Sequence, residues 1–301
     1  MNKQIRIAAV AALALLWAGQ ASAFWLNAGA KETTGNQNYN GVNIGGQLGF
    51  DDFSLKPMFN SYHSDLSSGT FNSYSLRAGY DTKLFGIGVT GGLTPSVNGY
   101  SNQFAGVDAA LSITPTGEGA RERIGGRDQA SGPSQGEGLA RIDLGASAQY
   151  TNHRDHFGSH SQALGSAADL GQTDLTASAG VSLLRNLISV DFTKSQYDEN
   201  PNSYNIRAPR VENVIGLAQV IQGLPDTSTN VKLVMSMLPL IKPFVDYTHT
   251  TFKAGEANSS SYAVGVSVEM AMLELSAAYQ RYVQNGQSDH NYYTLGASVR
   301  F

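Results

Sequence analysis

The sequence has 301 residues, with 20 Lys and Arg against 24 Asp and Glu, 33 Gly, 14 Tyr, 12 Phe, nine Pro and no Cys. A net charge of −4 argues against nucleic acid or an anionic membrane surface as partner, and a chain without cysteine has no disulfide framework. No segment offers 18 successive apolar residues, which excludes a helical membrane protein, while the abundance of Gly, Tyr and Phe over Pro suits strands and turns.

At the N-terminus, Lys3 and Arg6 precede an apolar run from Ile7 to Trp17, and Ala21, Ser22 and Ala23 supply the small residues of a cleavage site. Residues 1–23 are therefore expected to be a cleaved export signal, too short to span a bilayer as a helix. The remaining chain, 24–301, has 18 basic residues, since Lys3 and Arg6 are lost, against 24 acidic ones, a charge of −6. An exported chain without disulfides must draw its stability from packing or from a closed hydrogen-bonded ladder.

From Phe24 onward short alternating runs recur. In "FWLNAGAK" Phe24, Leu26, Ala28 and Ala30 share one face, and Trp25, Asn27, Gly29 and Lys31 the other. Val42, Ile44, Leu48 and Phe50 oppose Asn43, Gly45, Gln47 and Gly49 in the second run, and after "DD" Phe53, Leu55, Pro57 and Phe59 oppose Ser54, Lys56, Met58 and Asn60. The pattern continues through 74–80, 85–93, 104–113, 142–150, 175–183, 188–192, 231–237, 241–252, 262–270, 273–279 and 293–301. Period two with unlike faces means strands between two unlike environments.

These runs predict about 14 strands, with 12 as the alternative count. Short connectors ("DD", "DTKL", "RN", "LPL", "EMAM") fall on one side, and long ones, including 152–171 and 198–228, on the other. Phe24, Phe50, Phe53, Tyr80, Phe85 and Phe301 sit beside the short turns, as an interfacial girdle would. Two segments break the pattern. Residues 114–140 are Gly-rich, charged and aperiodic, and read as a flexible insertion on the short-turn side. Within 198–228, Val211, Val214, Ile215, Ala218, Ile221 and Leu224 recur at helical spacing, which predicts a helix on the rim or folded inward as a lid. The stretches "LKPMFNSYHS" (55–64) and "IKPFVDYTHT" (241–250) resemble each other as two strands with an early proline, too little for a repeat architecture.

The polar face is built from small Gly, Ser, Thr and Asn, where a soluble sandwich would place bulky apolar residues. The end of the chain, "YTLGASVRF", with Tyr293, Leu295, Ala297, Val299 and terminal Phe301 in alternation, resembles the C-terminal assembly signal of bacterial outer-membrane β-barrel proteins. That resemblance implies an all-β, antiparallel transmembrane barrel with short periplasmic turns and long external loops. It also implies insertion into outer-membrane lipid by the barrel-assembly machinery. The leading functional expectation is a porin-like diffusion channel for small solutes, without cofactor or metal and without enzymatic activity.

In that register the lumen receives Lys31, Lys56, Arg77, Arg141, Lys232, Lys242 and Arg300, together with Asp81, Asp108, Asp143, Asp174, Asp191, Asp246, Glu269 and Glu274. Seven cations and eight anions give no ring of one sign, so charge selectivity is not set by the pattern. Mutual pairing that braces the interior is the competing reading of these charges.

Outer-membrane phospholipase and lipid A deacylase barrels carry a His-x-Ser pair followed by Asn. His249 and Thr251 are similar in spacing, but threonine replaces serine and the Asn is missing, so a lipid-modifying hydrolase with His249 as base is an alternative function. His160 beside Ser161 has the wrong spacing on a strand. His153, Asp155, His156 and His160 share one expected loop, a composition that could hold a transition metal but more often is polar surface. A structural or adhesive barrel acting through its loops is the third reading.

Overall fold

The computed structural model describes residues 24–65, 69–82, 84–114, 140–155, 168–184, 186–201, 209–214, 217–222, 224–235, 240–253 and 257–300. The expected signal segment, nearly all of the 114–140 insertion and Phe301 lie outside them.

Among the described residues sixteen strands follow in chain order. They are β1 (Phe24–Gly35), β2 (Tyr39–Phe50), β3 (Phe53–His63), β4 (Phe71–Asp81), β5 (Phe85–Val97), β6 (Tyr100–Ile113), β7 (Ala140–Asp155) and β8 (Ala168–Leu183). Then come β9 (Asn186–Tyr197), β10 (Pro209–Val214), β11 (Leu217–Gln222), β12 (Pro225–Met235), β13 (Ile241–Phe252), β14 (Ser259–Met270), β15 (Leu273–Gln284) and β16 (His290–Arg300). Fourteen of them form one closed antiparallel barrel, and β10 and β11 pair with each other as a separate two-stranded sheet. Every barrel neighbour is a sequence neighbour except at two places: β9 pairs with β12 around the extra hairpin, and β1 closes onto β16 from Asn27↔Arg300 to Gly35↔Tyr292. Closure leaves no edge strand within the barrel.

The 14 alternating runs of the sequence are the 14 barrel strands, lengthened by up to seven residues at their ends. Two residues link β2 to β3, β8 to β9 and β14 to β15 on the rim that also holds Phe24. The 26-residue connection between β6 and β7 starts and ends on that same short-turn rim, so the strand count ahead of the insertion holds. The opposite rim carries the longer connections, 64–70, 156–167, 198–224, 253–258 and 285–289, but also two tight hairpins that the sequence reading had as longer gaps. One of these turns on Asn98 (φ 51°) and Gly99 (φ 85°), the Asn-Gly pair whose left-handed backbone matches strand twist.

Residues 209–214 and 217–222 correct the helix expected over 207–224. They form the β10–β11 hairpin, from Pro209↔Gln222 to Val214↔Leu217. Val211, Val214, Val220 and Ile221 are β-branched, lose side-chain freedom in a helix, and fit a paired strand. Two short strands also satisfy each other's backbone, which isolated apolar spacing does not reveal.

Burial alternates residue by residue, and with inverted polarity. Ser54 is buried and Leu55 exposed; Asp143 is buried and Leu144 exposed; Ser182, Ser189 and Thr294 are buried beside exposed Val181, Val190 and Leu295. Leu295 is 69% exposed and Val107 57%, whereas Asp143 is fully buried. The apolar face is the outside of the cylinder. Outward aromatics gather at the short-turn rim, where Phe53 lies 5.1 Å from Tyr80 and Tyr80 6.2 Å from Phe85. A second outward set, which the sequence reading did not separate, includes Phe59–Tyr74 (5.2 Å), Tyr247–Tyr262 (5.1 Å) and Tyr279–Tyr293 (5.4 Å), nearer the long-loop rim.

Candidate functional site

A polar face turned inward on a closed sheet makes the interior the site to examine. Its charges group by strand register. On β4, Arg77 reaches over β5 to Asp108 on β6, with Nε to Oδ1 at 2.8 Å and Nη2 to Oδ2 at 2.6 Å, while its Nη1 lies 3.3 Å from Asp81. Asp81 also accepts from Ser54 at 2.8 Å, and Lys56 contributes its charge to the same group. The reach is possible because β5 places Gly88 beneath the guanidinium: a Cβ there would run into Arg77 Nη2. A bidentate fork between Arg and carboxylate is geometrically demanding. Gly88→Ala should therefore displace Arg77 and cost about 1–2 kcal/mol. In a double-mutant cycle that cost should shrink once Asp108→Asn has already removed the pair, and unchanged additivity would contradict this role for the glycine.

At the short-turn rim, Arg141 and Asp143 on β7 are both buried, with Nε to Oδ2 at 2.7 Å, and Ser112 donates to the same carboxylate. Lys242 on β13 pairs with Glu269 on β14 at 2.6 Å, and Arg300 on β16 donates to Glu274 on β15 at 2.9 Å and lies 3.8 Å from Glu269. Lys232 on β12 stands in register with Asp246 on β13. It also interacts with the charges of Asp191 on β9, Glu274 on β15 and Lys31 on β1. Four strands separate β1 from β12 along the wall, so these side chains converge across the interior. Asn230 donates to both carboxylate oxygens of Asp246, at 2.9 and 3.0 Å.

Asp174 lies nearer the long-loop rim, accepting from Gln172 at 2.7 Å and from Ser195. Arg77, Arg141, Lys242 and Arg300 are each paired with carboxylates, whereas Asp174 is held by the neutral Gln172 and Ser195. Most pairs join adjacent or next-adjacent strands, which braces the wall.

Aromatic residues missed in the sequence also occupy the interior, at its long-loop end. Rings follow one another around the wall: Tyr292–Tyr39 (5.0 Å), Tyr39–Tyr62 (6.5 Å), Tyr62–Phe71 (5.2 Å), Phe71–Tyr100 (6.4 Å) and Tyr100–His153 (6.1 Å). Tyr39, Tyr62, Phe71, Tyr100 and Tyr292 form one buried apolar cluster with Leu170, Leu224 and Tyr282. A second interior cluster, Leu187, Val234 and Phe244, packs toward the short-turn rim. Parity was the available signal: Tyr39, Tyr62, Tyr100 and Tyr292 sit on the face otherwise built from small polar residues, at strand ends beyond those read from sequence.

Two catalytic or ligating expectations change. Thr251 does not partner His249; its hydroxyl lies 2.7 Å from that of Thr227, and Ser260 on β14 stands 3.1 Å from His249 Nδ1 instead. His249 and Ser260 are directly opposed in the ladder. Paired strands commit their backbone N–H groups to each other, so the ladder around this pair offers no donor to a developing oxyanion. His153 and Asp155 are not loop residues but end β7, pointing inward and buried. Tyr100 donates to His153 Nδ1 at 2.8 Å, and His153 Nε2 donates to Gln172 Oε1 at 3.0 Å. With both ring nitrogens engaged, His153 is no metal ligand. His156 and His160 lie outside the described residues, and among the described residues no group of three His, Asp or Glu is arranged to hold a metal.

The class that fold and interior define is a closed 14-strand antiparallel barrel, apolar outside and polar inside. No protein-family model matches the chain, and no curated protein matches it. Solved structures similar to it include Acinetobacter baumannii OccAB1, at 8% identity and a TM-score of 0.47, covering 92% of this chain and 95% of that one. Pseudomonas aeruginosa OccK10 (OpdN) has 10% identity and a TM-score of 0.44, covering 93% and 98%. CdiB from Acinetobacter baumannii has 10% identity and a TM-score of 0.46; 93% of this chain is covered, but it spans only 60% of the CdiB chain.

Proposed function

We propose that the chain is a bacterial outer-membrane barrel that forms a passive diffusion channel for small polar solutes. The observation that carries this reading is the inverted burial: most Leu, Val and Ile of the barrel strands face outward, while Ser, Thr, Asp, Lys and Arg, with two apolar clusters, lie inside. Exposing that much apolar surface to water is unfavourable at about 25 cal/mol per Å², and hydrocarbon removes the penalty. Closure supports the same environment, since a spanning sheet can leave no backbone group unpaired in lipid. The two sets of outward aromatics suit two interfaces. In this reading residues 1–23 direct export and are removed, Tyr293, Leu295, Ala297, Val299 and Phe301 are read by the assembly machinery, and the inward charges line the solute path.

Mixed-sign groups in place of a ring predict weak discrimination between anions and cations. Planar-bilayer recordings on refolded 24–301 should show discrete, reproducible current steps with a reversal potential near zero in a salt gradient. A second reading, a non-conducting barrel acting through its loops, draws on the two apolar clusters packed inside. A folded, protease-resistant protein that passes no current under any condition would favour that reading.

A further inference from the structure

We propose that Lys194, Lys253 and the Thr227–Thr251 pair form a site on the outer wall, at the long-loop rim, that holds the phosphate of a membrane lipid. The inference rests on the lipid-facing orientation proposed above. Strand register stacks the outward residues of β9, β12, β13 and β14 in rows. In the top row Lys194 stands beside Thr227, and Thr227 beside Thr251. Below it Phe192, Thr229, His249 and Ser260 oppose one another in turn, with His249 Nδ1 and the Ser260 hydroxyl 3.1 Å apart. The third row ends on the paired rings of Tyr247 and Tyr262, and the fourth is aliphatic, with Leu233, Val245 and Val264. The wall passes from ammonium and hydroxyl groups, through tyrosine, to hydrocarbon. A lipid has the same order, from its charged headgroup through the interfacial level where tyrosine sits to its acyl chains.

Charge at the top of this column is unbalanced. Lys194 Nζ lies 2.8 Å and Lys253 Nζ 3.5 Å from the same Asp226 Oδ1, so two ammonium groups share one carboxylate. The outward pairs Arg154–Asp169 and Arg281–Asp289 at this rim are one to one. Lys253 is also held over the Tyr197 ring, 5.8 Å from its centroid. The two lysine side chains are 40% and 36% exposed, within reach of a ligand. Each ammonium has three N–H donors and gives at most one to the shared oxygen. Beside them the Thr227 and Thr251 hydroxyls lie 2.7 Å apart, and the Thr227 N–H donates to Thr251 Oγ1 at 3.1 Å. One of the two hydroxyl hydrogens is used between them, which leaves the other to donate outward. A phosphate takes ammonium and hydroxyl donors together, and the surplus positive charge favours an anionic headgroup over a neutral one.

The test reads lipid retention by native mass spectrometry on refolded 24–301 in neutral detergent, once protease protection in vesicles has shown that the chain inserts. Phosphatidic acid is the probe, diacylglycerol with the same chains lacks the phosphate, and inorganic phosphate lacks the chains. The native protein should retain phosphatidic acid in preference to diacylglycerol. Lys194→Gln combined with Lys253→Gln should weaken that retention about tenfold or more, and Arg at both positions should keep it. Asp226→Asn, which leaves both ammonium groups unopposed, should strengthen it, and Arg154→Gln should leave it unchanged. Heat-modifiable migration on gels confirms that each variant is folded. Equal retention by the native and double-glutamine proteins, or equal retention of the two lipids, would overturn the site and leave the barrel standing. Saturation by inorganic phosphate alone would overturn a lipid as the occupant. A native chain that does not insert into vesicles would overturn the lipid-facing wall and this inference with it.

Discussion

Val107→Arg should destabilise the barrel in a bilayer by about 2–4 kcal/mol, the cost of a cation on a lipid-facing strand near the membrane midplane. Val107 lies midway along β6, is 57% exposed, and pairs with Val89 and Ala148 on the flanking strands. Were that face in water, the same substitution at an exposed site would change stability by no more than about 0.5 kcal/mol. The effect is read from urea-dependent refolding into lipid vesicles, with Val107→Leu as the conservative control. A cost inside the control's error would remove lipid from the account.

The second large effect is expected inside. Asp143→Ala leaves the Arg141 guanidinium, 1% exposed, without the carboxylate it meets at 2.7 Å, and takes the acceptor from Ser112. Removing one side of a buried pair is strongly destabilising, by up to about 3–5 kcal/mol. Arg154 and Asp169 offer the comparison, since their side chains are 52% and 48% exposed at a similar spacing of 2.8 Å. Arg154→Ala should cost about 0–1 kcal/mol. Equal losses for the two substitutions in the vesicle assay would mean that water reaches Asp143.

How much was legible in the sequence follows from which forces leave a local trace. Alternation between unlike faces is local, and the order of 14 barrel strands followed from counting it. Strand ends were less legible, because the alternation weakens where aromatics enter the inner face: Tyr39 and Tyr292 were lost with the ends of β2 and β16. Which charges pair was not legible at all. Arg77 meets Asp108 because β5 presents Gly88 between them, a fact of register across three strands. Ser260 beside His249 likewise depends on the β13–β14 pairing, where sequence spacing suggested Thr251. The helical spacing of 207–224 misled because apolar residues a few positions apart also fit two short facing strands when the turn between them is unknown.

The orientation of the sheet is the central claim, and the absence of cysteine allows a direct measurement. Single cysteines at each position from Leu175 to Ser182 on β8, labelled with an environment-sensitive fluorophore in vesicles, should alternate. Positions 175, 177, 179 and 181 should emit as in hydrocarbon and be quenched by brominated lipid, while 176, 178, 180 and 182 should be untouched by it. Uniform quenching along the strand, or alternation in the opposite phase, would contradict the barrel as described.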